Sequence, residues 1–305
     1  MATSLVSTAV RAADGPLTGK SIEIVDPLGA GSISAVAIGL LGAGMGAELG
    51  AAVEFAPSTG ALAFTRLYAG PTDGTVLIAA DPLSLEIYEA TRQAGQPALQ
   101  PPPVAVAKLT NGLSLALVVS KESPYRSWAD VVAAMKVGPV RMVLPDWHGS
   151  IGVVAALIKQ TYGVDPTAVI APTRQDAIET LVSGRADIGL MVTASVLPGS
   201  DIPVRPLVTF GAERNPKLPD VPTFAEISGD KHNDFTVSVA LFAPPGTSEA
   251  TVASLSKAAT AAAADPAVQR DAAATNYPLA VGGPSLVEET IARDRALVQR
   301  IRGQL

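Results

Sequence analysis

One local pattern occurs twice in this chain: an apolar strand, a turn bearing glycine and serine, then a helix built from small apolar residues. The first copy runs Ser21-Ile-Glu-Ile-Val-Asp26, continues through Pro-Leu-Gly-Ala-Gly-Ser, and enters a helix from about Ser34. The second runs from Val140 to Leu144, through Pro145-Asp-Trp-His-Gly149, into a helix over Ser150 to Tyr162. Strands that alternate with helices pair largely in parallel, because a parallel neighbour is reached only by a crossover, and the helices then cover both faces of the sheet. Two copies in 305 residues, at about 150 residues per domain, predict two such α/β domains.

The intervening segments fit this frame. Val53 to Phe55, Thr75 to Ala79, Val104 to Leu109, Leu113 to Ser120, Ala186 to Val192, Arg205 to Phe210 and Val237 to Phe242 read as strands. Helices are expected over Thr59 to Tyr68, from Ser127 to about Met135, over Asp176 to Val182 and over Thr251 to Ala264. Ser127 with Asp130 three residues on has the form of a capping box, and so does Ser285 with Glu288 before the last amphipathic helix. Asp265 followed by Pro266 is an N-cap with proline at the first helical position.

Composition removes several functions. With 22 basic against 28 acidic residues the net charge is -6, so no cationic field exists to neutralise a phosphate backbone, and nucleic acid is not an expected partner. The absence of cysteine excludes disulfides, thiolate metal sites and a cysteine nucleophile, and two histidines, His148 and His232, leave little for a metal site. Pro27 to Ala47 carries no charge over 21 residues and includes Gly42-x-x-x-Gly46, a length that meets the criterion for a membrane span. Six glycines, Pro27 and two serines, with no flanking basic cluster, favour a strand-loop-helix in a water-soluble domain instead.

Catalytic signatures are weak. Ser254-Leu-Ser-Lys257 has the S-x-x-K spacing of acyl-transfer enzymes, but it lies in an alanine-rich helix whose Ser and Lys belong on the wet face. Gly29-x-Gly31-x-x-Ser34 follows a strand and opens a helix, the context of a dinucleotide fingerprint, yet its third position is Ser. A dinucleotide-dependent α/β enzyme therefore stands as an alternative. Both units do offer a helix N-terminus with unpaired N–H groups and a positive dipole end, which attracts anions without Arg or Lys. Gly29, Gly31, Ser32 and Ser34 in one loop and Gly149 and Ser150 in the other either pinch one carboxylate between two domains or only cap and turn; the residues leave both readings open.

Five collinear motifs go further: Thr72-Asp-Gly74, Ser150-Ile-Gly-Val-Val-Ala-Ala-Leu-Ile-Lys-Gln-Thr-Tyr-Gly-Val164, Leu181-Val-Ser-Gly-Arg-Ala-Asp187, Leu218-Pro-Asp-Val-Pro-Thr-Phe-Ala-Glu226 and Phe242-Ala-Pro-Pro-Gly-Thr247. In these the chain resembles the substrate-binding proteins of tripartite tricarboxylate transporters, the Bug family of bacterial periplasmic receptors, from about Gly19 to its C-terminus. The resemblance implies a two-domain Venus-flytrap fold, each domain a mainly parallel sheet flanked by helices. Residues 20–121 with 237–305 form the discontinuous first domain and 122–236 the second. Residues 1–19 are an N-terminal extension, in which Val10 and Ala12 suit the -3 and -1 positions of a signal-peptidase site. The function implied is extracytoplasmic, in the periplasm: capture of a small carboxylate in the interdomain cleft and delivery to membrane permease subunits, by a monomer with no cofactor, metal or catalytic activity. A ligand-occupancy sensor subunit for a signalling partner is the other alternative.

Departures from the family pattern bear on the ligand. Where Pro-Gly-Gly-Ala-Thr-Asp is common, this chain has Ala30-Gly-Ser-Ile-Ser-Ala35, so the usual acid is lost; the common Tyr-Lys-Gly becomes Ala171-Pro-Thr173; and the usual polar pair falls at Met191-Val192. Trp147 and His148 add a ring and a titratable donor, which suggests a carboxylate with an apolar or aromatic body, although a Trp packed under its loop and an exposed His also account for them, and that reading is the favoured one. Arg174 is either a partner for a distal carboxylate or a solvated residue at a helix start. The expected ligand-facing residues are Gly29, Ala30, Gly31, Ser32, Ser34, Asp81, Pro82 and Leu83 on one side and Trp147, His148, Gly149, Ser150, Ile151, Thr173, Arg174 and Met191 on the other. Asp81 to Leu83 are expected in the loop after the third strand.

Overall fold

In both units the strand and the helix form. The structure, a computed structural model, describes residues 15–27, 32–58, 60–92, 94–96, 98–110, 112–144, 150–171, 174–275, 277 and 279–305. The chain runs through β1 (Ser21–Asp26), α1 (Ile33–Leu49), β2 (Ala52–Pro57), α2 (Gly60–Ala69), β3 (Val76–Ala80), α3 (Pro82–Thr91) and β4 (Val104–Thr110). It continues with β5 (Leu115–Ser120), α4 (Trp128–Val137), β6 (Arg141–Leu144), α5 (Ser150–Tyr162), β7 (Thr167–Ile170), α6 (Arg174–Val182), β8 (Ile188–Val192) and β9 (Val204–Thr209). It ends with α7 (Phe224–Ser228), β10 (Ala240–Ala243), α8 (Glu249–Ala264), α9 (Pro266–Ala274), β11 (Leu279–Gly282) and α10 (Pro284–Ile301).

Two sheets result, one with strand order β11-β4-β10-β3-β1-β2 and the other β7-β6-β8-β5-β9. The expected α/β architecture of two helix-flanked sheets holds, with one correction: the sheets are mixed rather than mainly parallel. β1, β2 and β3 pair in parallel, as do β6, β7 and β8, whereas β10 is antiparallel to both its neighbours and β5 is antiparallel to both of its own. The physical reason is connectivity. Strands linked by a local crossover helix are parallel, while β5 and β10 arrive from the other sheet and no crossover rule sets their direction.

The Gly42-x-x-x-Gly46 spacing serves packing between α1 and its neighbours. A Cβ at Gly44 would lie 2.8 Å from the Ala262 Cβ of α8, and one at Gly46 would lie 2.7 Å from the Ala51 carbonyl oxygen. Small residues thus let α8 approach α1 and let the chain double back into β2, with Gly50 closing the helix at φ 63°. Among the described residues no helix is long and apolar enough to cross a membrane.

The capping box at Ser127 and Asp130 is present, and so is the Asp265-Pro266 start. The box expected at Ser285 and Glu288 is not: Pro284 takes the first helical position of α10 and Gly283 the cap, without a side-chain bond. Nor do Asp81, Pro82 and Leu83 form a loop. Asp81 caps α3 and Pro82 begins it.

The Leu181 to Asp187 motif has a fastening role. Gly184 turns the chain at φ 74°, and Asp187 then accepts bonds from the Arg141 backbone N–H at 2.7 Å, its Nε at 3.0 Å and its Nη2 at 2.8 Å, locking β8 to β6. Because the pair is part-exposed, its ionic component is discounted. Asp187→Ala is expected to lower the urea midpoint, mainly through the part-buried Arg141 backbone N–H left without its acceptor, and Asp187→Asn less. Equal midpoints for Asp187→Ala and the wild type would refute this role.

Candidate functional site

Ligands of open α/β sheets bind beyond the carboxyl ends of the parallel strands, where loops lead into helix N-termini. Here those ends are Asp26 of β1, Ala80 of β3, Leu144 of β6 and Val192 of β8. Of the expected site residues, Gly29, Ala30, Gly31, Trp147, His148, Gly149 and Thr173 lie outside the described residues. Ser150 and Ile151 open α5 and Arg174 opens α6.

At the first loop the sequence folds locally as its chemistry requires. Ser32 is the N-cap of α1, its hydroxyl accepting from the Ala35 backbone N–H at 2.9 Å while donating to Oδ2 of the fully buried Asp26. The Ser32 hydroxyl is thereby committed to the helix start. Ser34 is also fully buried, but its Oγ has no hydrogen-bond partner among the described residues. A buried hydroxyl without a partner costs about 1–3 kcal/mol, so its retention calls for an acceptor or donor from elsewhere. Neither α1 nor α5 has an acidic residue in its first turn; at α1 the Asp26 carboxylate reaches the cap through Ser32.

Tyr277, which the sequence did not single out, reaches this place from the C-terminal part of the chain. Its hydroxyl donates to the Ile33 carbonyl oxygen, and burial, reinforced by the Asp26 charge, holds its acidity well below that of an ordinary tyrosine. It clasps the first turn of α1.

Asp81 is buried at the start of α3. Its Oδ1 accepts from the Leu83 backbone N–H at 3.4 Å and from that of Ser238, in the segment leading into β10, at 3.2 Å. Pro82 is buried too, and the Leu83 side chain lies in a hydrophobic core shared with α5 and the second sheet. Met191 is half-buried on β8, opposite Ala116 of β5, and packs beside Val118 and Val143. Just past it, Thr193 Oγ1 donates to Ser114 Oγ at 3.0 Å and Ser114 Oγ donates to the Phe210 carbonyl, a polar knot also missed by sequence reasoning. A cavity of about 1060 Å³ bounded by Pro103, Val252, Ser256, Lys257 and Pro284 touches none of the expected site residues. Among the described residues no cluster of His, Asp or Glu is arranged to hold a metal ion.

Two helix-flanked mixed sheets, joined by crossings and with helix-starting loops at their strand ends, define the two-lobed binding-protein class. Solved structures of that class agree across nearly the whole chain. MatC from Rhodopseudomonas palustris, solved with bound malate, matches with a TM-score of 0.79 at 24% identity over 92% of this chain and 99% of its own. Rpa4515 of R. palustris, solved with adipate, matches with a TM-score of 0.79 at 20% identity over 94% of this chain and 97% of its own. In sequence, the family model described as tripartite tricarboxylate transporter family receptor matches residues 44–302. The chain belongs to that family, and is a solute-binding receptor rather than a member of an enzyme family. A UPF0065 protein from the tcbD-tcbE intergenic region of Pseudomonas sp. (strain P51) is 26% identical over 237 residues, 76% of this chain and 69% of its own length.

Proposed function

We propose that this receptor works outside the cytoplasmic membrane as a monomer without catalytic activity, capturing a small carboxylate between the first turns of α1 and α5 and handing it to a tripartite permease. The lobes would be residues 20–121 with 237–305, and 122–236. The observation that carries the reading is the pair of helix starts whose first turns carry no acidic residue, one of them holding the Ser34 hydroxyl, which has no partner among the described residues. Malate in MatC and adipate in Rpa4515 give the carboxylate class, and the loss of the usual acid at Ala35 favours ligands without an amino group. Trp147 and His148 stand in the second loop, where a ring would cover the ligand's body and an imidazole would donate to its oxygen.

The test is a thermal-shift panel of aliphatic and aromatic mono- and dicarboxylates, in which a ligand at 100 times its Kd adds about 2.7 kcal/mol of stability. Ser34→Ala is expected to leave the ligand-free protein as stable as wild type or more so, because a buried unpaired hydroxyl is removed, while weakening the bound acid about tenfold. No shift across the panel, or unchanged affinity in Ser34→Ala, would sink the corresponding claim.

A further inference from the structure

The sheets are joined by two crossing segments that lie against each other. The first links β4 to β5 and the second leads into β10. Leu113 N–H donates to the Val237 carbonyl at 2.6 Å and Val237 N–H returns a bond at 3.0 Å, while Val239 N–H donates to Thr110 Oγ1 at 2.9 Å. Two buried carboxyl groups sit beneath them. Asp81 holds the Ser238 backbone N–H from the α3 side, and Asp294 of α10 is buried too. One oxygen of Asp294 accepts from Arg293 Nε and Nη2 at 2.9 and 2.7 Å; the other is buried with no partner among the described residues, and so is the Ser238 hydroxyl. The Arg293 guanidinium also donates to the Thr236 carbonyl at 3.4 Å, binding the crossing to the same cluster.

Buried charge survives only where it is paired, and two carboxylates with one close guanidinium are better served by one proton than by none. The surrounding charges offset this only in part. Glu86 of α3 is spoken for by Arg295 at 2.9 Å. Lys108 of β4, its ammonium form disfavoured first by burial and then by Arg293, still favours the ionised Asp294, while Glu86 opposes it and Glu289 of α10 adds further negative charge.

We propose that the buried Asp81 and Asp294 carboxyl groups form a protonation-dependent latch under the crossing, so that the pH outside the cell sets how firmly the two crossing segments are held together. This goes beyond the carboxylate reading, and its test contains no solute, so the two can fail separately. Burial, then the Asp294 charge, pushes Asp81 up to about 8, and burial pushes Asp294 up to about 6. Groups raised in the folded arrangement hold their protons more tightly there than when exposed. The latch is therefore strongest in mild acid and is lost as pH climbs from about 4 to about 8.

The experiment is amide hydrogen exchange of the full chain at pH 5 and pH 8.5, corrected for intrinsic rates and compared with β8 amides as an internal reference. Protection at Leu113, Val237, Ser238 and Val239 is expected to fall about tenfold or more relative to β8 in the wild type. In the double variant Asp81→Asn/Asp294→Asn, where neither buried group titrates and the amide oxygen introduced at position 81 still accepts from Ser238, the fall should be less than about threefold, and each single variant should lose part of it. If the wild-type crossing keeps step with β8 across this range, or if the folded double variant retains the full fall, the latch does not exist.

Discussion

Phe224→Ala is expected to remove about 3–5 kcal/mol of stability, the range for deleting a fully enclosed aromatic ring. Phe224 is wholly buried, stacked on Phe210 with ring centroids 5.2 Å apart, and meets Trp128 and Tyr162 edge-on at 6.4 and 6.2 Å. In a chain with only 13 aromatic residues, four of them converge on this point. The surrounding chain holds the ring in place from outside. Thr223 caps α7 through the Glu226 N–H, Thr209 N–H donates to the Pro222 carbonyl, and Arg214 grips the Glu226 carboxylate with Nη2 at 2.6 Å. The segment cannot readily collapse into the space a truncation leaves, so the cavity penalty should be close to full size. Urea midpoints of Phe224→Ala and Phe224→Leu check this: Leu should retain over half the loss. A cost below about 1 kcal/mol for Ala would mean the ring is not the anchor of the second core.

That anchor shows where sequence reading stops. Leu218 to Glu226 stood out as a family landmark with its proline turns, but nothing local says that Phe224 is inserted into a distant core. Local rules worked where the physics is local. Ser127 and Asp130 satisfy each other within one turn, and Asp265-Pro266 fixes a helix start by proline geometry. Applied evenly, the same proline rule would have found α3 at Asp81-Pro82 and put the start of α10 at Pro284 rather than at a Ser285 box. The four-residue strands β7 and β11 were missed for a different reason. Both are edge strands, short and only partly buried, and neither has a side-chain alternation strong enough to read.

The site divides in the same way. A strand running into a helix through Gly and Ser is visible in sequence, and in both units the strand and the helix form. Contacts from far along the chain are not visible: Tyr277 on the first turn of α1, and Ser238 on Asp81 at the start of α3. The membrane-length apolar stretch also changes meaning in three dimensions, because its glycines are the spaces into which Ala262 and the Ala51 carbonyl fit. Small residues in this receptor mark close approach, and among the described glycines the closest lies between the two crossing segments.

Gly112→Ala should accordingly be among the most damaging single-methyl additions, costing about 3 kcal/mol, the upper end for overpacking. A Cβ on residue 112 would lie 2.6 Å from Thr236 Cβ, 3.1 Å from its Cγ2 and closer still to its Oγ1. Thr236 is β-branched, so its side chain has little rotamer freedom with which to retreat, and its carbonyl already accepts from Arg293. Relief must come from parting the two crossings, which strains the reciprocal bonds between Leu113 and Val237. Thr236→Gly removes the obstructing atoms, so the double variant Gly112→Ala/Thr236→Gly should be more stable than Gly112→Ala alone, a coupling opposite in sign to the usual sum of two losses. Denaturation of the two single variants and the double variant measures it. Additive losses would show that Thr236 is not what a methyl at position 112 meets, and the close approach of the two crossing segments would then not be what makes Gly112 necessary.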